Sequence, residues 1–298
     1  MKHLLKLEGM PSAAMEEILA STKAIKAKRG ADEIKPLDGQ TWAMIFTKSS
    51  TRTRVSFEVG IRELGGSVMF LNANDMQLGR GEPIKDTARV LGRMVHGAVI
   101  RTFAQADVEE FAEYSGIPTI NALTDDEHPC QILTDIFTFQ EQRGPIRGKV
   151  VTYVGDGACN VPVSWVHAAA ALDFELRIAA PSEFQPSEET LAKAGGNISC
   201  TEDIRAAVKG ADMVYTDVWV SMGMEAEAEA RLAKLAGYQI NGGLMCLAKP
   251  DALVMHCLPA YRGKEIDAET FEAHADTIFT QAENRLHTQK AILAWLAG

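Results

Sequence analysis

The chain lacks several features that would each fix a class. Its five cysteines, Cys130, Cys159, Cys200, Cys246 and Cys257, are odd in number, scattered, and form no Cys-x-x-Cys pair. That argues against a disulfide framework or a zinc site and fits reduced thiols in a cytosolic protein. Positive charge is the minority: 30 Lys and Arg stand against 40 Asp and Glu, a formal net charge of -10. A general nucleic-acid binder needs a basic face, so no nucleic-acid partner is expected. No apolar run approaches the ~18–20 residues that cross a bilayer. The first residues mix Lys2, Lys6, Glu8, Glu16 and Glu17 among apolar ones, so no secretory h-region is present. The expectation is a cytoplasmic protein with no membrane partner.

What is present is an α/β alternation in a chain long enough for two domains, with 46% hydrophobic residues among 298. Ser12 reads as an N-cap for a helix to about Lys28, with Met15, Ile18 and Leu19 at helical spacing. Trp42–Phe46 is a short apolar run, a buried strand. A polar turn, Lys48–Arg54, hands over to a helix carrying Phe57, Ile61 and Leu64, and Gly65-Gly66 stop it. Val68–Leu71, Ala98–Ile100 and Thr119–Ala122 read as further strands, with helices over Thr87–Val95, Val108–Tyr114 and Gln131–Gln142. After Gly144–Gly148 a second series begins: strands at Val150–Val154, Leu176–Ala180, Asp212–Tyr215 and Ala252–Met255, a helix at Asn160–Leu172, and a last helix at Leu286–Leu296. Such alternation predicts two doubly wound α/β domains, each with a mostly parallel sheet. The expected boundaries are 1–143 and 144–283, with a C-terminal helix at about 284–298 packing back on the first domain.

Ser50-Thr51-Arg52-Thr53-Arg54 is the first chemical signal. Helix-opening N–H groups lack intrahelical partners and carry partial positive charge, so an anion placed there gains hydrogen bonds. Three hydroxyls and two guanidinium forks alternating at a strand's end suit phosphate. An ordinary N-cap with solvent-facing arginines is the bland reading of the same residues. His128, in Glu127-His128-Pro129-Cys130-Gln131, sits at the C-terminal edge of the expected sheet, where open α/β folds bind ligands. Alone it would be a structural histidine. Gly155-Asp156-Gly157-Ala158-Cys159-Asn160 follows a strand but lacks the third glycine of a dinucleotide fingerprint, and no convincing ribose-binding acid follows, Glu175 being the nearest candidate.

Ser50–Arg54, Arg101, His128-Pro-Cys-Gln131, Asp217-x-x-x-Ser221-Met222-Gly223, His256-Cys-Leu-Pro259 and Glu283-Asn-Arg285 occur in this order. The set resembles the ornithine carbamoyltransferases, and the likeness runs from about Leu4 to Leu296. The first and third motifs mark the carbamoyltransferase superfamily; the Asp217 and His256 motifs point to ornithine over aspartate. The resemblance implies an enzyme with its active site in the cleft between the domains. The substrates would be carbamoyl phosphate and L-ornithine, the products L-citrulline and phosphate, with no metal or organic cofactor. It also implies a homotrimer or a multiple of trimers, serving arginine biosynthesis or catabolism.

By the same likeness Ser50, Thr51, Arg52 and Thr53 hold the phosphate, joined by Gln77 from a neighbouring subunit. Arg101 and His128 meet Thr53 at the carbonyl oxygen, where negative charge grows as an amine attacks. Gln131, Leu258 through its carbonyl, Cys257 and Arg285 surround the carbamoyl end. Asn160, Asp217, Ser221 and Met222 match the ornithine-binding positions. Arg101, His128, Cys257 and Asp217 form the implied catalytic group. Two departures stand out: Cys159-Asn160 followed by Pro162 where relatives usually have Asn-Asn, and Thr47 where many have Glu. Rival readings are a carbamoyltransferase for putrescine, an acylated ornithine or aspartate, and a non-catalytic binding subunit of the same fold.

Overall fold

The computed structural model describes residues 1–298 except 32–33, 73–75, 77–80, 222 and 224. The chain divides into two compact units, residues 1–137 with 283–298, and residues 138–282.

In the first unit α1 (Ser12–Ala27) precedes β1 (Thr41–Phe46), α2 (Thr51–Glu63), β2 (Ser67–Asn72), α3 (Ile84–Leu91), β3 (Gly97–Arg101), α4 (Gln105–Ser115) and β4 (Thr119–Leu123), and α5 (Pro129–Arg143) follows. The strands are parallel, in the order β2-β1-β3-β4. Trp42 to Phe46 are all buried, as are all five residues of β3, as expected of strands covered on both faces. Leu4 adds a bridge beside β4, donating to the Thr119 carbonyl at 3.0 Å and accepting from the Asn121 N–H at 2.7 Å.

Ser12 does not cap α1. Pro11 holds the cap position and its carbonyl accepts the Ala14 and Met15 N–H groups, so the backbone alone opens the helix. The helix expected over Thr87–Val95 lies instead at Ile84–Leu91, opening after Pro83 and closing at Gly92.

The second unit carries β5 (Val150–Val154), α6 (Asn160–Leu172), β6 (Glu175–Ala179), α7 (Glu188–Ala194), β7 (Ile198–Thr201), α8 (Ile204–Val208), β8 (Met213–Thr216), α9 (Ala228–Leu235), α10 (Gly242–Met245), β9 (Leu253–His256) and α11 (Ala268–Ala273); α12 (Ala275–Ala297) ends the chain. Its sheet is parallel in the order β7-β6-β5-β8-β9. Trp165 packs edge-on against Phe174 and Tyr215 beneath it. The division between units falls within α5 and within α12 rather than at the Gly144 turn. A helix runs on as a hydrogen-bonded rod whatever packs on it, so compactness and not the glycine turn sets the boundary.

Both sheets reverse their winding at one place. β1 lies between β2 and β3, and β5 lies between β6 and β8. Ligands of open α/β sheets bind at the carboxyl ends of the strands at such switch points. Those ends are Phe46 and Arg101 in the first unit, and Val154 and Thr216 in the second. No helix among the described residues is long and apolar enough to cross a membrane.

Candidate active site

At the first switch point Ser50 caps α2, its Oγ accepting the Thr53 N–H at 3.3 Å. The Thr51 and Arg52 N–H groups lie in the same first turn, where no intrahelical acceptor exists. Thr51 is exposed, Arg52 half-buried and Thr53 buried. Among the described residues the Arg52 guanidinium has no ion-pair partner. Arg54 stacks its guanidinium 3.7 Å from the centre of the Phe70 ring, and both residues line the cavity beside Ser50 and Thr51. Thr47, Lys48, Ser49, Ser50 and Thr51 line a cavity of about 410 Å³. Lys48 is buried, paired with Asp125 and 4.2 Å from the centre of the Phe103 ring.

Arg285 joins three elements of this unit. Its Nη2 donates to Thr53 Oγ1 on α2 at 3.3 Å, and its Nη1 donates to Gln131 Oε1 on α5. Gln131 Nε2 in turn donates to Asp135 Oδ1 at 2.9 Å, one turn on. Thr53, Gln131, Asp135 and Arg285 are all buried. Arg101 closes β3 where the register with β4 shifts, an irregularity that re-aims a side chain. The Thr47 N–H and hydroxyl both donate to the Arg101 carbonyl, at 2.9 and 3.2 Å. Thr47 therefore ties down the Arg101 backbone.

His128 precedes α5, and its carbonyl accepts the Gln131 and Ile132 N–H groups. Burial, with the Arg285 and then the Arg101 charge beside it, holds the imidazole well below its usual pKa. Near pH 7 it is a neutral ring beside two guanidinium groups. Such a set can donate hydrogen bonds to an oxygen gaining negative charge without supplying a mobile proton. Glu127, next to it, is buried and accepts the Leu7 N–H at 2.6 Å and the Glu8 N–H at 3.1 Å, which anchors the N-terminal segment here.

The second switch point gathers the other group. Asp217 follows β8, and its Oδ1 accepts the Val218 N–H at 2.7 Å and the Cys257 thiol at 2.8 Å. Cys257 follows β9, next to β8. His256 and Glu265 are fully buried with Nε2 and Oε1 3.1 Å apart, and His256 Nδ1 accepts the Leu258 N–H at 2.8 Å. Those partners place the ring proton on Nε2. The contacts frame Leu258, whose φ of 60° is rare for a branched residue. Asp217, His256 and Cys257 offer ligand atoms within 4.8 Å of one another, a grouping that could hold a metal. Both imidazole nitrogens and the thiol are already engaged in hydrogen bonds, so a metal would have to displace them.

Asn160 opens α6 after the Gly155–Gly157 turn. Gly157 is required there: a Cβ would stand 2.6 Å from Ile178 Cγ2. Pro162 sits in the first helical turn, where its missing N–H costs nothing. Burial, with Asp156 and Asp217 nearby, pushes the Cys159 thiol well above its usual pKa, so it stays protonated. Ser221 is half-buried after Asp217. Gln77 and Met222 lie outside the described residues.

Thus Thr53, Gln131 and Arg285 are joined directly, with Arg101 and His128 beside them, and Asp217 meets Cys257. Lys48, Asp135, Asp156, Arg231 and Glu265 were not foreseen. Asp135 alone carried a local signal, standing at i+4 from Gln131 on an expected helix.

Residues 2–141 match the family model described as the carbamoyl-P binding domain of aspartate/ornithine carbamoyltransferase, and residues 147–296 match its Asp/Orn binding domain. An ornithine carbamoyltransferase of Akkermansia muciniphila is 54% identical over 300 residues, covering 100% of this chain and 98% of that protein. The ornithine carbamoyltransferase structure from Pyrococcus furiosus superposes with a TM-score of 0.92 at 44% identity, over 100% of this chain and 97% of that one. The anabolic ornithine carbamoyltransferase structure from Campylobacter jejuni gives 0.94 at 43% identity, over 99% of each chain. Matched through both halves and more than half identical to a full-length relative, the chain belongs to the aspartate/ornithine carbamoyltransferase family.

Proposed function

We propose that the protein transfers the carbamoyl group of carbamoyl phosphate to the δ-amine of L-ornithine, giving L-citrulline and phosphate. The observation that carries the choice of acceptor is the Asp217 carboxylate beside the Cys257 thiol. A carboxylate there attracts an ammonium group and repels the second carboxylate of aspartate. The end-to-end likeness to ornithine carbamoyltransferases supports the same reading.

In this reading Ser50, Thr51, Arg52 and Thr53 cradle the phosphate with the helix N–H groups, and Gln77 joins them. The neutral δ-amine attacks the carbamoyl carbon. A C–N bond forms, the carbonyl oxygen takes the electron pair, and Arg101, His128 and Thr53 hold it. The pair then returns, the bond between the carbamoyl carbon and the bridging oxygen breaks, and phosphate leaves on the charged cradle, taking up the proton that the attacking nitrogen gives up. Gln131, Arg285 and the Leu258 carbonyl orient the carbamoyl NH2. Asp217 holds the α-ammonium; Asn160, Ser221 and Met222 complete the amino-acid site, and Cys257 lies by the δ-amine. The activated mixed anhydride needs no cofactor, so rate comes from positioning and fixed dipoles. In the same reading, supported by the family likeness, the protein assembles as a homotrimer or a multiple of it, resides in the cytoplasm and serves arginine metabolism.

The test is a steady-state assay with carbamoyl phosphate and ornithine, putrescine, N-acetylornithine or aspartate as competing acceptors. Citrulline should dominate. A higher kcat/KM for any other amine would reassign the acceptor; no phosphate release with any of them would favour a non-catalytic binding subunit.

A further inference from the structure

Pairing of β5 with β8 ends at Val154 and Thr216. Past those residues the ladder stops, yet the segments carrying Asn160 on one side and Asp217 and Ser221 on the other must keep a fixed spacing to grip one small molecule. A residue distant in sequence ties them together. Arg231, on α9, is 8% exposed. Its Nε donates to the Trp219 carbonyl at 3.0 Å, between Asp217 and Ser221. Its Nη2 pairs with Asp156 Oδ2, in the turn that leads to Asn160. The guanidinium also lies 4.8 Å from the centre of the Phe184 ring, and Nη1 is 3.8 Å from Glu227 Oε2.

Asp156 passes the tie onward. It is 4% exposed, its Oδ1 accepts the Ala158 N–H at 3.0 Å, and its carbonyl lies 3.3 Å from the Cys159 thiol that donates to it. The Trp219 ring closes against the same turn, 3.5 Å from where a Cβ of Gly155 would stand.

We infer that Arg231 is a positioning residue for the amino-acid acceptor: one planar guanidinium fixes the distance between the Asp217–Ser221 segment and the Asp156–Asn160 turn. Only a fork with several donors in one plane reaches a carbonyl and a carboxylate at once; a lysine ammonium does not reproduce that geometry. The pair is buried, so breaking it strands a charge. This inference rests on the carbamoyl-transfer reading.

The experiment measures steady-state kinetics for the wild type, Arg231→Met, Arg231→Lys and Asp156→Asn, with Lys234→Met as a control one turn away on the exposed side of α9. Small displacements of a binding group cost about ten- to a hundredfold. Arg231→Met and Asp156→Asn should each raise KM for ornithine by about that factor and leave KM for carbamoyl phosphate within about twofold. The double variant should be no worse than the more damaged single one, since both remove one tie. Arg231→Lys should fold normally and still show most of the KM defect. Lys234→Met should match the wild type. An unchanged ornithine KM in folded Arg231→Lys overturns the inference, as do rises of both KM values together. If Arg231→Met does not fold, Arg231→Lys and Asp156→Asn decide alone. A wild type that makes no citrulline defeats the transfer reading and this inference with it; a wild type that makes citrulline with variants that keep its ornithine KM defeats the inference only.

Discussion

The two groups proposed to hold the substrates are built by different means. In the first unit the residues assigned above to the carbamoyl phosphate are locked by side chains from separate elements: Thr53 on α2, Gln131 and Asp135 on α5, and Arg285 on α12, all buried. In the second, Asp217, Ser221 and Cys257 sit on backbone just past strand ends. Their spacing rests on backbone bonds, the Asp217–Cys257 pair and one arginine. The difference matches the two tasks proposed for them. Stabilising charge that appears only in the transition state needs dipoles already fixed before reaction. Gripping a flexible amino acid needs one ion pair and a shaped turn.

That contrast is broken most severely at Arg285. Arg285→Ala removes two hydrogen bonds from a charged donor, each worth roughly 1.5–3 kcal/mol, and leaves Gln131 Oε1 buried without its donor. The expected loss in kcat/KM for carbamoyl phosphate is about a hundredfold or more, with KM for ornithine changed by less than about threefold. Initial-rate kinetics varying each substrate in turn separate the two, and circular dichroism checks that the variant folds. Arg285→Lys should recover little, since a point charge does not replace the fork. A rise in KM for ornithine as large as the rise in KM for carbamoyl phosphate would mean the two groups are not independent.

Asp217→Asn probes the other side more gently. The amide oxygen can still accept the Cys257 thiol and the Val218 N–H, so the change removes charge and keeps shape. One charged hydrogen bond corresponds to about a ten- to hundredfold rise in KM for ornithine. Carbamoyl phosphate binding, read by protection against thermal unfolding, should stay put. If that protection falls in Asp217→Asn, the separation drawn between the two sites is wrong.

How much of this was legible beforehand follows the same contrast. The strand–turn–helix unit at Thr41–Glu63 could be read because Trp42–Phe46 is continuously apolar and Gly65-Gly66 stop the helix. β7 could not: Ile198-Ser199-Cys200-Thr201 is a sheet edge with one strongly apolar residue, so no run marks it. Ser12 looked like a cap because serine is a good one, but the chain enters α1 through Pro11 and leaves the backbone to do that work. The motif residues stood out as motifs. Their supports did not, because Arg231 meets Asp156 across 75 positions and Arg285 meets Thr53 across 232. Only packing brings such pairs together, and a single sequence carries no trace of it. Asp135, one helical turn from Gln131, is the exception.

The smallest expected effect tests whether the stiffness of the first group extends to the N-terminal segment. Burial pushes the Glu127 carboxyl up to about 7, against the pull of the Leu7 and Glu8 N–H groups. Between about 4.5, the value for an unburied glutamate, and about 7 the folded protein keeps a proton that the unfolded chain releases. Stability contributed by this group is therefore full below about 4.5 and declines as pH rises through about 7. Glu127→Gln has no such proton. Its unfolding free energy should lack that decline, so the wild type should lose on the order of 1–3 kcal/mol relative to it between pH 4.5 and 7.5. Denaturant midpoints of both proteins across that range give the comparison, and parallel curves would remove Glu127 from the account. Glutamine also brings an NH2 where one of two backbone N–H groups needs an acceptor. The Leu7–Glu8 anchor beside His128 should loosen accordingly. At pH 7.5 the variant should show a two- to threefold higher KM for carbamoyl phosphate, on the order of 0.5 kcal/mol. An unaltered ornithine KM in the same assay would mark Glu127 as part of the first group's framework; a shift in ornithine KM alone would assign it elsewhere.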